Sequence, residues 1–343
     1  MRAVSLDGVS LTTEALLRCS RPSVAVNLSS DAIERISNGR AIVDGVLASG
    51  EVVYGVNTGF GLFANVTISG DKLIELQENL IRSHAAGCGE PLSRERTRML
   101  LALRINVLAK GHSGISLGVV EQMIAALNAD CIPVVPSKGT VGASGDLAPL
   151  AHLALGLMGE GSMWKPGTAS QGSASSILAS CHLSPIRLGA KEGLAMINGT
   201  QMIAALGAEA VERASRVARL ADYVAALTLE VLFGTTRAFN PLIHDARPHP
   251  GQRQVAARVR SVLRSDQPSD LYRSHQYAGK VQDGERTRAA CRAHARPLSA
   301  ECELLPLPRL LLPRRCCSPR DHLPRATLPP QRIPYAACLR STA

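Results

Sequence analysis

The stretch from Gln201 to about Phe233 constrains the fold most, because it reads as a single long helix. It is rich in Ala, Val and Leu, with paired charges such as Glu212 and Arg216 at helical spacing. Alanine at this density suits close packing of long helices, as in a bundle. Shorter helices precede it. Asp71–Ala85 sets Leu73, Leu76, Leu80 and Ile81 on one face. Ser93 is placed to cap a helix running through Met99, Leu103 and Leu108 and stopped at Gly111, and another helix is expected over 117–127. The sequence therefore predicts a mainly α fold in which an N-terminal domain leads into a long-helix bundle. The Gly-rich loops at 55–61 and 139–145 are where chemistry is expected, since loops on a rigid scaffold usually carry it.

Composition narrows the function classes. Aromatics make up only 3% of the 343 residues, too few for a base-stacking platform. The net charge of +10 is uneven: residues 281–343 hold 11 Arg, no Lys and 5 acids, contributing +6, which leaves +4 for the first 280. That is a weak footprint for nucleic acid, and none is expected as a partner. No stretch reads as approaching the roughly 20 apolar residues of a membrane helix, and the N-terminus lacks an apolar signal run. A soluble, cytoplasmic protein is the expectation, with no membrane partner. Nine cysteines without a Cys-x-x-Cys pair predict reduced thiols and no metal site.

The most informative segment is Gly139-Thr140-Val141-Gly142-Ala143-Ser144-Gly145-Asp146-Leu147-Ala148-Pro149-Leu150-Ala151-His152. By residue type alone it is a loop of small residues entering a helix, with Asp146 near the helix start and Pro149 in the first turn. A tight turn with an N-cap would account for that much. Three other segments stand out: Val52–Gly61 around Tyr54, Leu80–Gly87 with Ser83-His84, and Met196–Gln201 around Asn198. Taken singly, each has a plain reading: a Tyr at the edge of a glycine loop, a helix-end His making a capping contact, and an Asn-Gly turn before the long helix.

Together these segments resemble the aromatic amino acid ammonia-lyases and aminomutases, over about residues 1–283. In that family Ala-Ser-Gly cyclises: the glycine nitrogen attacks the alanine carbonyl and two waters leave. The product is 4-methylideneimidazol-5-one (MIO), an electrophile. The resemblance thus implies that Ala143, Ser144 and Gly145 form MIO, and that Tyr54 removes the substrate β-proton. A phenol must be tuned by its site for that task. Family members acting on phenylalanine tend to carry Phe-Leu at the position of Ser83-His84, those acting on tyrosine His-Leu, and those acting on histidine Ser-His. His84 is therefore expected to orient a substrate imidazole, with Asn198 and Gln282 completing the substrate site. The implied reaction is non-oxidative deamination of L-histidine to urocanate and ammonia, and the implied assembly is a homotetramer. Phenylalanine or tyrosine deamination and aminomutase chemistry are the alternatives within the family. An inactive product that at most associates with intact subunits is the alternative of another class.

The resemblance stops near Gly284. Where the family has a tyrosine, this chain has Glu285, in Gly284-Glu285-Arg286-Thr287-Arg288. All 29 glycines lie at or before Gly284, and 9 of the 20 prolines lie in the last 63 residues. The sequence therefore divides into 1–200, an N-terminal domain with the catalytic loops; 201–283, the start of a helical bundle; and 284–343, an Arg/Pro/Cys-rich tail. The tail is expected to be disordered and reads as translated in another frame, the remainder of the family sequence being lost.

Overall fold

The computed structural model describes residues 3–59, 68, 70–142, 145–232 and 236–263. All of them belong to one compact unit, Met1–Ser299. Its first elements are β1 (Val4–Leu6), α1 (Thr13–Cys19), β2 (Val26–Leu28) and α2 (Ser30–Ser49), with β1 and β2 pairing in parallel. Then come α3 (Gly70–His84), β3 (Cys88–Pro91), α4 (Arg94–Leu108) and α5 (Leu117–Asn128). The chain continues through β4 (Ile132–Pro133), β5 (Pro136–Lys138), α6 (Leu147–Leu157), β6 (Ser162–Trp164), β7 (Gln171–Ser173) and α7 (Ala174–Ser180). The last elements are α8 (Glu192–Ile197), α9 (Gln201–Val231), α10 (Pro241–Asp245) and α11 (Pro250–Val262). The short strands form three small sheets: β1-β2, antiparallel β3-β5, and antiparallel β4-β6-β7.

The expected helices form close to their expected limits. Ser93 caps α4 by accepting the Arg96 N–H, leaving the helix's first-turn donors with one fewer orphan. The apolar stripe of α3 does as its spacing requires: Leu73, Leu80 and Ile81 are buried. Helix α4 is buried along most of its length, including Arg98 and Arg104. Burying Arg98 would be costly if it stood alone, and desolvation does lower its pKa. Its guanidinium instead ties down helix ends, donating to the carbonyls of Cys19 at the end of α1, of Arg21 just beyond it and of Leu127 in the last turn of α5. Asp130, 2.9 Å away, supplies the counter-charge.

Helix α9 serves two cores. Met202 and Ala205 join the large core built around α4, α5 and α6. Ala225, Ala226 and Leu229 join a small one with Phe239, Val255 and Val259. On another face Val217, Leu220, Val224, Leu227 and Val231 recur at helical spacing and are all more than half exposed. One expectation is corrected here. By length and composition, the stretch Glu192–Val231 is apolar enough to cross a membrane. Its apolarity has a local cause, because Met196, Ile197, Met202 and Ala205 are packed into the large core.

Candidate active site

Two turns converge on the start of α9. Gly145 has φ +146°, a conformation L side chains rarely adopt, and a Cβ there would lie 2.7 Å from the Gly199 carbonyl oxygen. The next residue continues the contact, as the Asp146 N–H donates to that same Gly199 oxygen at 2.6 Å. The Asp146 side chain departs from its expected part. It makes no capping hydrogen bond to its own helix α6. Its Oδ2 instead accepts the Ile203 N–H at 2.9 Å, in the first turn of α9, whose own N-cap Thr200 offers no side-chain cap. A carboxylate there satisfies an orphan donor and meets the positive end of the helix dipole. Asp146 is fully buried and its Oδ1 has no protein partner.

Beneath this junction lies Arg104, a residue that sequence reasoning missed. It is 1% exposed, and its guanidinium donates to Ala195 O, to Asn198 O at 3.1 Å and to Gln201 Oε1 at 2.8 Å. These acceptors span the end of α8, the Asn198-Gly199 turn and the start of α9. Burial pushes the Arg104 pKa down to about 10, so the group stays charged at neutral pH. An arginine inside an otherwise apolar helix face is the signal that could have flagged it.

His84 ends α3. Its Nδ1 lies 2.9 Å from the Leu80 carbonyl and 3.1 Å from Ser83 Oγ. A carbonyl can only accept, so Nδ1 carries the hydrogen, and in the neutral ring Nε2 is the acceptor. The capping reading is thus realised, and it also fixes the tautomer that would face a ligand. The chain beyond His84 is packed against the segment leading to the tripeptide. Gly87 N donates to His152 Nε2 on α6 at 3.0 Å, and β3 pairs Cys88 with Lys138 of β5.

Tyr54 sits in a turn that Asn57 and Thr58 hold together. Asn57 Oδ1 accepts the Val53 N–H, its Nδ2 donates to Glu51 O, and Thr58 Oγ1 accepts the Gly55 N–H. The Tyr54 side chain is 58% exposed, and Asn198 is exposed as well. Of the expected site residues, the structure brings Gly145 and the Asn198 turn together and connects His84 to the same scaffold. Ala143, Ser144 and Gln282 lie outside the described residues.

Known proteins resemble this chain in sequence and in fold. The family model for aromatic amino acid lyases matches residues 11–300. The chain is 56% identical over 292 residues to the histidine ammonia-lyase of Bos taurus, covering 85% of this chain and 44% of that protein. The crystal structure of histidine ammonia-lyase from Trypanosoma cruzi superposes with a TM-score of 0.76 at 45% identity, covering 86% of this chain and 53% of that one. Tyrosine aminomutase from Streptomyces globisporus superposes with a TM-score of 0.75 at 34% identity, covering 86% and 58%. The chain spans about half the length of the relatives it matches. By sequence and by fold, the chain belongs to the aromatic amino acid lyase family.

Proposed function

We propose that this chain carries the catalytic loops of a histidine ammonia-lyase, which converts L-histidine to urocanate and ammonia. The observation that carries the reading is the docking of Gly145 and Asp146 on the Asn198-Gly199 turn, in a chain with Ser83-His84 in the selecting position. Gly145 fits the MIO group because its backbone conformation and surroundings admit only glycine. Formed from Ala143, Ser144 and Gly145, MIO would supply the electrophile, with Asp146 and Gly199 holding its C-terminal flank. His84 Nε2 accepts the N–H of the substrate imidazole. Asn198 and Gln282 hold the rest of the amino acid, and Tyr54 takes the β-proton. The Cβ–H and Cα–N bonds break, a double bond forms between the two carbons, and the amine leaves as ammonia. A site that hydrogen-bonds an imidazole disfavours the apolar ring of phenylalanine. The same reading extends to a cytoplasmic homotetramer.

The test is incubation with L-histidine, L-phenylalanine and L-tyrosine, combined with intact-protein mass spectrometry. Urocanate formation from histidine alone, by a chain lighter than its encoded mass by two waters, is the expected result. Product from phenylalanine or tyrosine at a higher rate overturns the assignment.

A second reading is favoured by the exposure of Tyr54, of Asn198 and of the apolar stripe on α9. A substrate-enclosing site buries most of its ligand, and among the described residues these side chains are exposed. In this reading the chain is inactive and at most associates with intact subunits. A full encoded mass and no turnover would support it.

A further inference from the structure

We propose that His152 is a positioning residue, which fixes the Ser83–Gly87 segment against the tripeptide-bearing loop by accepting the Gly87 N–H. The inference rests on the reading of His84 as the imidazole contact.

The geometry is a slot around one glycine. A Cβ on Gly87 would lie 3.1 Å from His152 Nε2 and Cδ2 and 3.2 Å from the Lys138 carbonyl. On the remaining side, Gly139 packs so closely that a Cβ on it would sit 3.0 Å from Gly87 Cα. Gly87 is therefore held by α6, which follows the tripeptide, and by the end of β5, which precedes it. The grip reaches His84 in a few bonds. Ala86 N donates to His84 O at 2.8 Å, Ala85 N to Ile81 O, and the His84 ring is tied to Leu80 O. Letting Gly87 go would free the stretch that follows His84 and is bonded to its carbonyl. Two histidines thus divide the work, with His84 facing the ligand and His152 holding the backbone behind it.

The latch requires a neutral ring. Nε2 accepts only without a proton, and a protonated Nε2 would point one donor at another. Burial lowers the His152 pKa from the ordinary histidine value, which favours the accepting form. Ionisable side chains on the elements packed against α6 include Lys72, Glu75, Glu78, Arg82 and His84 on α3, Lys138 on β5 and Glu192 on α8, and Asp146 lies just ahead of α6. Arg82 is paired with Glu160 and Glu78, and Glu192 with Arg40 and the Ser116 and Gly189 amides. Burial and the Gly87 N–H govern the His152 ring.

The experiment is amide hydrogen exchange on the full chain, with calorimetric titration of L-histidine, for the unsubstituted protein, H152Q and H152L. Glutamine keeps an acceptor and leucine does not. The expected result for H152L is about tenfold faster exchange at Gly87, the order of one lost hydrogen bond, with α4 unchanged and L-histidine bound more weakly. H152Q restores both. The unsubstituted chain gives a second measurement that needs no variant. Corrected for intrinsic rates, Gly87 protection should hold down to the ordinary histidine value of 6.5 and fall as the pH is lowered below it, where the buried ring gains its proton. Unchanged Gly87 exchange in H152L, or a flat pH profile, overturns the latch whether or not histidine binds. Undiminished histidine affinity in an H152L chain with an opened Gly87 overturns the positioning role. Failure of the unsubstituted chain to bind L-histidine overturns the reading of His84 instead, and does so before any substitution is made.

Discussion

Replacing Arg104 by Met tests whether the buried guanidinium organises the turn on which the tripeptide rests. Methionine keeps the aliphatic bulk and removes every donor. Three acceptors lose their partner: Ala195 O, Asn198 O and Gln201 Oε1. At about 1–3 kcal/mol for each acceptor left unsatisfied, the loss is roughly 6 kcal/mol at mid-range. Against this stands the relief of a buried charge. A pKa depressed from 12.5 to about 10 corresponds to a burial penalty of roughly 3 kcal/mol that methionine does not incur. The net expectation is a destabilisation of roughly 3 kcal/mol. Urea unfolding followed by circular dichroism should show a midpoint lower by roughly 1–1.5 M, at a slope of about 2–3 kcal/mol per M. Amide exchange across 198–203 should quicken more than exchange in α5. A midpoint unchanged or raised would mean that the cost of burying the charge outweighs its hydrogen bonds, and Arg104 would then not be what holds the turn.

Gly145→Ala should cost roughly 2–3 kcal/mol in the same assay, because the Cβ meets the Gly199 carbonyl at 2.7 Å in a left-handed conformation. It should also abolish the two-water mass loss, and a variant that is as stable and as light as the parent would refute the close-approach argument. Iodoacetamide followed by peptide mapping should modify Cys88, which is exposed, well before Cys19 and Cys131. Those two are buried, with pKa values pushed up to about 11 and about 12 by burial, so they should react only on unfolding. Asp7 accepts the Val9 and Ser10 amides, and its hydrogen bonds to Ser10 lead in lowering its pKa from 3.8 to about 2. A depressed carboxylate pKa stabilises the folded form above the unfolded value, and the effect is lost as pH falls from 3.8 to about 2. Val9 and Ser10 amide protection should fall in that window and not above it. Finally, replacing Val217, Leu220 and Val224 by Glu should reduce binding of an apolar dye and self-association without lowering the melting temperature, since all three side chains are exposed.

What could be read from the sequence followed from local rules. Periodicity located α3, α4, α5 and α9, and the Ser93 cap was visible because N-capping depends on one residue and its next turn. Asp146 shows where local reading fails. Its position before α6 suggests a cap for that helix, yet its carboxylate serves α9, which begins 55 residues later at Gln201. No pattern within a few residues of Asp146 records that partner. Arg98 and Arg104 were missed for the same reason, because their acceptors come from helix ends remote in sequence. The small sheets were missed because strands of two to four residues carry too little alternation to register. Tyr54, His84 and Asn198 were identified as a set by resemblance. Spacing alone left each with a plain structural role, and for His84 the structure shows that role in the capping contact to Leu80 O.

The candidate site is held together chiefly by backbone contacts, which explains the glycines in its motifs. Gly145 on Gly199 and Gly139 on Gly87 are backbone-to-backbone approaches, the first with no room for a Cβ and the second with very little. Such contacts fix position tightly but offer no side chain to anchor them, so the anchoring falls to neighbours. Asp146 grips the start of α9, Arg104 holds the Asn198 turn from beneath, and His152 holds Gly87. A glycine contact and a polar grip therefore occur in pairs at two points around the tripeptide. Substituting a gripping residue should loosen its turn while leaving the glycine tolerable, whereas substituting the glycine should displace the turn even with the grip intact. Double-mutant cycles separate the two roles. Gly145→Ala combined with Arg104→Met should cost less than the sum of the single changes, because both act on the one turn at Asn198-Gly199. Strict additivity would show that the two contacts are independent and that the turn is not a single mechanical unit.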